Sequence, residues 1–181
     1  MCKIITISGS AQHGKDTLAK EIKKEGESKG LKVCILHHAA YLKMIAEEVY
    51  GWDGKKDEVG RTLLQQAGDK LRKTDSNILV DKLHDIIKLV KDEFNIIIIP
   101  DTRFPSEIDR CKQGYDTISL KVKRYDIDGT PFDNGLTEEQ KHHNTETALN
   151  SYSFDKSIVN ITDNFELLKE NAVNILNLIN E

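Results

Sequence analysis

Apolar positions along this chain fall into two alternating patterns: short unbroken aliphatic runs, and longer stretches in which they return every three or four residues. Lys3–Ser8 reads as a short buried strand, and the helix formers from Asp16 to Glu27 carry Leu18, Ala19 and Ile22 on one side. Lys32–His37 predicts a second strand, followed by a helix from about Ala40 to Tyr50 that stops at Gly51, a residue suited to a helix end. Two more helices are expected over Asp57–Lys73 and Ser76–Glu93; the latter repeats Ile78, Leu79, Leu83, Ile86, Ile87 and Val90 at helical spacing. Asn95–Pro100 is an aliphatic run without polar alternation, the pattern of a strand covered on both faces, and is expected in the middle of a parallel sheet.

Pro100 suits the end of that strand, and Pro105 the first turn of a helix running to about Lys112. Thr117–Val122 predicts a fourth strand. The stretch Tyr125–His143 contains Gly129, Pro131 and Asn134-Gly135 but no sustained apolar period, so it reads as a mobile excursion, with a lid as the natural hypothesis. A short helix near Thr145–Leu149, a strand around Ser157–Asn160 and a helix from about Asn164 to Ile179 complete the pattern. Strands alternating with helices, without repeats or linkers, predict one α/β domain over residues 1–181: a mostly parallel five-stranded sheet between helical layers.

Composition narrows the function classes. A chain of 181 residues can bury a proper core without disulfide or metal staples. Its longest aliphatic run, Ile96–Ile99, is too short to span a bilayer, and Met1–Ser8 lacks the apolar stretch of a secretion signal, so a cytoplasmic protein without membrane contact is expected. Cys2, Cys34 and Cys111 are odd in number and widely spaced, which favours buried thiols over a disulfide or zinc site. The net charge of −4 argues against nucleic acid as a partner. Any phosphate must therefore be held locally, and the chain has only five Arg among its 26 basic residues with which to fork one.

The nine residues Gly9, Ser10, Ala11, Gln12, His13, Gly14, Lys15, Asp16 and Thr17 follow the first strand and open the first helix, the context that a phosphate-binding loop requires. Glycines permit a tight backbone wrap whose N–H groups point inward, the helix N-terminus adds partial positive charge, and Lys15 can reach the β- and γ-phosphates of a nucleotide. Asp16 stands where Ser or Thr usually meets Mg²⁺; its carboxylate either holds the metal or stabilises the helix start. Asp101 and Arg103 follow the aliphatic strand at the carboxyl edge, where open α/β sheets bind ligands. There Asp101 could orient Mg²⁺ or the acceptor, and Arg103 could grip an acceptor phosphate. Arg61, Gln65, Gly68 and Arg72 share one helical stripe that could serve an acceptor's phosphate and base, or could be an exposed polar face. Arg124 ends the fourth strand, where it could lie over ATP phosphates or on the surface. His142, His143 and Glu146 suit a hinge or helix cap as well as catalysis, and no catalytic role is given to them.

Together these motifs resemble the phage-type and bacterial deoxynucleoside monophosphate kinase family over nearly the whole chain. The resemblance rests on the Gly-Lys-Asp-Thr ending of Gly9–Thr17, on Gly60–Gln65 with Gly68 and Arg72, on Asp101–Pro105 with Glu107, and on His143–Glu146 leading to Phe154-Asp155 and Asn160. Thr145 stands where the family often has Ser, and Pro100 where an aliphatic or small residue is usual. The resemblance implies a P-loop nucleoside monophosphate kinase fold, ATP with Mg²⁺ as cofactors, a deoxynucleotide acceptor, and Asn160 near the ATP base. ATP is then expected on Gly9–Thr17, the acceptor between the Arg61 stripe and Arg103 among helices spanning about 40–93, and the lid at about 125–143. The expected partners are small nucleotide substrates, with a homodimer as one possible assembly. A kinase for another phosphorylated metabolite, such as dephospho-coenzyme A, and a nucleotide-binding switch without transfer activity remain the alternatives.

Overall fold

A computed structural model describes residues 2–180. Its sheet contains β1 (Lys3–Ser8), β2 (Val33–Ile35), β3 (Ile96–Ile99), β4 (Asp116–Tyr125) and β5 (Lys156–Ile161), in the order β2-β3-β1-β4-β5. Every pairing is parallel, so the sheet is wholly rather than mostly parallel and all strand ends of one kind share an edge. Alternation along the strands divides the core between two faces. Ile5, Ile7, Ile96, Ile98, Leu120 and Val122 face α1 (Lys15–Ser28) and α8 (Phe165–Asn180), which supply Leu18, Ile22, Ala172 and Ile175 among others. Ile4, Ile97 and Ile99 face the opposite layer, where α4 (Ile78–Val90) contributes Leu83 and Ile87 and α5 (Pro105–Gly114) contributes Cys111. Burial on both sides is why β3 reads as an uninterrupted aliphatic run.

One expectation about β3 is corrected. It is an interior strand, but the centre of the sheet is β1, with two strands on each side. The aliphatic run reports burial of both faces and carries no information about rank in the sheet. β2 is shorter than its pattern because it is an edge strand paired only with β3 over Val33–Ile35. β4 is longer, reaching Tyr125, because β5 continues to pair with it through Ile161.

α2 (Ala39–Tyr50) and α3 (Glu58–Thr74) stand over the carboxyl edge, joined to α4 by a small cluster of Leu42, Ala67 and Leu79. Gly51 ends α2 in the left-handed conformation at φ 66°, as its position after the apolar period predicts. Asp57 caps α3, its carboxylate accepting from Gly60 N–H at 2.8 Å. Asp57→Ala should lower stability by about 1 kcal/mol, measurable by denaturant unfolding, because it orphans that donor at the helix start.

The excursion is more structured than its sequence suggests. Tyr125 and Pro131 form an isolated antiparallel bridge around a turn, and α6 (Glu138–His142) begins with a reciprocal capping box between Thr137 and Gln140. That Thr-x-x-Gln spacing was the available signal; five helical residues are too few to show an apolar period. Buried Gln140 donates to Glu58 O and Thr62 Oγ1, both at 3.3 Å, tying the excursion to α3. The short helix α7 (Asn144–Thr147) follows directly.

Candidate active site

Because all five strands run the same way, the segments after β1, β2 and β3 and the ends of β4 and β5 converge on one edge. Two clefts, each of about 380 Å³, open there. The first is lined by Gly14, Lys15, Asp16, Thr17, Arg124 and Asn160, closed off by Phe165 and Leu168 of α8. The second is lined by Arg61, Gln65, Arg72, Asp101, Arg103 and Glu146 and by the clustered Leu42, Leu64 and Leu79. Gln12, Lys15 and Asp16 border both.

The loop between β1 and α1 wraps as its glycines allow. Gly14 sits at φ 92°, and a Cβ there would lie 2.6 Å from Asn160 Nδ2, so no side chain fits. Asn160 is 5% exposed and its amide donates to His13 O at 3.0 Å; it lines the first cleft while acting chiefly as a brace for the loop. Lys15 is 8% exposed and donates to Ser10 O at 2.8 Å. Burial, then the Arg103 charge, lowers its pKa from 10.5 to about 7. Asp16 and Thr17 are exposed at the first turn of α1. Gly9, Ser10 and His13 build the wrap without lining either cleft, whereas Ala11 borders the second.

Arg124 is held in place by three contacts. It donates to Gln12 O at 2.9 Å and to Thr162 Oγ1 at 3.2 Å, and its guanidinium lies 3.8 Å from the centre of the Phe132 ring in the excursion. It therefore joins the loop, the residue that follows β5 and the excursion on the side of the first cleft.

Asp101 is committed to the backbone. Its two carboxylate oxygens accept from His38 N–H at 3.0 Å and Ala39 N–H at 2.9 Å, fixing the start of α2 over the strand edge. It also lines the second cleft, as Asp16 does. Arg103 forms an ion pair with Glu146 Oε1 at 2.8 Å and donates to Gly9 O at 3.2 Å. Glu107 Oε2 accepts from Arg103 N–H and Phe104 N–H at 2.6 and 3.1 Å, holding the strand-to-helix turn.

Within the α3 stripe, Arg61, Gln65 and Arg72 line the second cleft and Gly68 does not. Gly68 instead makes room for its neighbours: a Cβ there would meet Arg72 Nη1 at 3.0 Å and Leu42 Cδ2 at 3.4 Å. Arg72 lies 4.3 Å above the Phe104 ring, which fixes the plane of its guanidinium. Gly68→Ala should leave stability within about 1 kcal/mol, since the helix gains propensity while the guanidinium tip shifts, yet raise KM roughly tenfold for any phosphorylated acceptor that the α3 stripe holds, as its sequence suggests. Steady-state kinetics beside thermal unfolding would check both halves.

Sequence reasoning missed His37, Lys43, Lys56 and Glu146 as lining residues of the second cleft. His37 precedes α2, Lys43 lies within it, and Lys56 lies in the loop before α3; no motif spacing marks them. Glu146 was visible within the cluster at the end of the excursion, but only the fold brings it onto Arg103.

A scan against protein-family models and a search of curated proteins return no match to this chain. Solved structures do resemble it. A mutant APS kinase CysC of Mycobacterium tuberculosis superimposes with a TM-score of 0.52 at 13% identity, covering 99% of this chain and 97% of that one. The same APS kinase in complex with AMPPNP and APS gives a TM-score of 0.52 at 10% identity, covering 99% and 98%. The chain thus shares the α/β fold of these structures, built here on a five-stranded parallel sheet.

Proposed function

We propose that this protein is a kinase that transfers the γ-phosphate of ATP to the phosphate of a deoxynucleoside monophosphate. The observation that carries the reading is the shared border of the two clefts. Gln12, Lys15 and Asp16 line both, so a nucleotide held on the loop ends where a cleft bearing Arg61, Arg72 and Arg103 begins. Three guanidiniums in a chain with five Arg suit a dianionic acceptor phosphate, and Leu42, Leu64 and Leu79 offer a flat apolar surface for a base. The APS kinase that resembles this chain binds AMPPNP and APS together, a pairing of nucleotide and acceptor compatible with two adjoining clefts.

Phosphoryl transfer asks a protein mainly for positioning and for stabilisation of developing charge. The loop and Lys15 would hold the donor phosphates. Arg103 would hold the acceptor in line, and Arg124 would close over the donor from the excursion side. The exposed Asp16 carboxylate is a hard oxygen donor suited to Mg²⁺, with Asp101 beside it to orient the metal's waters; the ion would neutralise phosphate charge during transfer. The excursion over 125–143 would act as a lid that excludes water as a competing acceptor.

The test is ADP release from ATP and Mg²⁺ with each deoxynucleoside and ribonucleoside monophosphate, dephospho-coenzyme A and APS offered singly. Stimulation by one or more deoxynucleotides, with the matching diphosphate as product, is the expected result. Stimulation by dephospho-coenzyme A or APS alone would replace the acceptor, and slow hydrolysis indifferent to every acceptor would make the protein a nucleotide-binding switch.

A further inference from the structure

We propose that Glu146 reads the sugar hydroxyl of the acceptor; this rests on the deoxynucleotide reading above. Glu146 lines the second cleft, and its side chain is 10% exposed. One carboxylate oxygen, Oε1, takes the Arg103 guanidinium at 2.8 Å. The other, Oε2, is buried and has no hydrogen-bond partner among the described residues. Asp16 of this cleft is exposed to solvent, and the two remaining carboxylates are anchored. Both oxygens of Asp101 accept backbone N–H groups, and Glu107 Oε2 accepts two. A buried ionised oxygen without a donor is costly, and such a group in a ligand cleft is accounted for when the ligand brings the donor.

The surroundings say which part of the ligand that is. Arg103, on the same carboxylate, suits the acceptor phosphate, while the clustered Leu42, Leu64 and Leu79 of the same cleft suit a base. The group between a nucleotide's phosphate and its base is the sugar, and a 2′-deoxyribose carries one free hydroxyl, at the 3′ carbon. The acceptor phosphate cannot lie against Oε2, because like charges repel there. Glu146 therefore keeps the phosphate on the Arg103 side and receives the 3′ O–H. Discrimination of this kind is strong, since an acceptor lacking the hydroxyl leaves the protein's buried polar group unpaired.

The experiment compares kcat/KM, at saturating ATP, for the deoxynucleotide that performs best in the acceptor panel and for its 2′,3′-dideoxy analogue. The wild type is expected to prefer the hydroxylated acceptor by about thirtyfold or more, because its buried acceptor atom is otherwise unsatisfied. In Glu146→Ala the preference should fall to within about threefold, since no buried carboxylate remains to be left unpaired. Glu146→Gln, which keeps the side-chain volume, serves as the second variant if the alanine protein unfolds; its preference should fall by roughly tenfold. A merely structural role for Glu146 would lower both rates and leave their ratio unchanged. An unchanged ratio in the variants overturns the proposal, as does a wild type indifferent to the hydroxyl, or a preference that follows the base instead of the sugar. If no deoxynucleotide stimulates ADP release from the wild type, the panel alone shows it, and the deoxynucleotide reading falls with the proposal before any variant is made.

Discussion

Lys15→Ala should lower kcat/KM by about 10³-fold or more and leave the fold in place, because in the proposed reaction the loop lysine supplies positive charge where the transferring phosphoryl group gains negative charge. The fold should survive for a specific reason. Lys15 is 8% exposed, and its ammonium makes one hydrogen bond, to Ser10 O. Its burial lowers the pKa from 10.5 to about 7, so the charged form is disfavoured in the folded protein. A depressed lysine pKa means that the native state binds fewer protons than the unfolded chain between about pH 7 and 10.5. The group's penalty on stability is therefore fully present below pH 7 and relieved as pH rises through that window. Replacing it with alanine removes the penalty, and below pH 7 the variant should melt no lower than the wild type. ATP phosphates favour the ammonium form, so wild-type ATP binding above pH 7 should take up a proton and weaken as pH rises. Calorimetry in buffers of different ionisation enthalpy reads the uptake directly. A variant that retains turnover would remove the loop from the chemistry.

Arg103→Met should be damaging twice over. Acceptor-dependent turnover should drop by about 10²-fold or more, as the planar charged fork proposed to grip and orient the acceptor phosphate is lost. Stability should fall by about 3 kcal/mol, because the substitution strands the Glu146 carboxylate in a largely buried position. The side chains of the pair are 24% and 10% exposed, so solvent screening is limited. Adding Glu146→Gln to Arg103→Met should restore most of the stability and none of the activity. Equilibrium unfolding of the single and double variants gives the coupling, and additive losses would show that the pair contributes little.

Much of the fold was legible because its signals are local. Aliphatic runs mark β1 and β3, helical periods mark α1 and α4, and Gly51 and Asp57 punctuate α2 and α3. The excursion reads as loop in the sequence because its order comes from distant partners: Gln140 on α3, Asn134 O on Gln12, and Phe132 under Arg124. Gly68 illustrates the same limit within a helix. Its place in the arginine stripe is plain from spacing, yet what it accommodates is Arg72 and Leu42.

By itself, the sequence determined the glycine-bounded loop between β1 and α1 with its lysine, the alternation that commits the chain to a parallel α/β layer structure, and the cationic stripe of α3. Spacing along a helix and the order of strand, loop and helix are one-dimensional quantities, and they survive translation into three dimensions. Only the tertiary structure decided that β1 holds the centre of the sheet, that Asp101 anchors α2, that Asn160 braces the loop, and that Arg103 meets Glu146 from 43 positions away along the chain. Those facts depend on which strand ends lie side by side and which segments fold back over them, and that is settled by burial of both sheet faces at once rather than by any local preference.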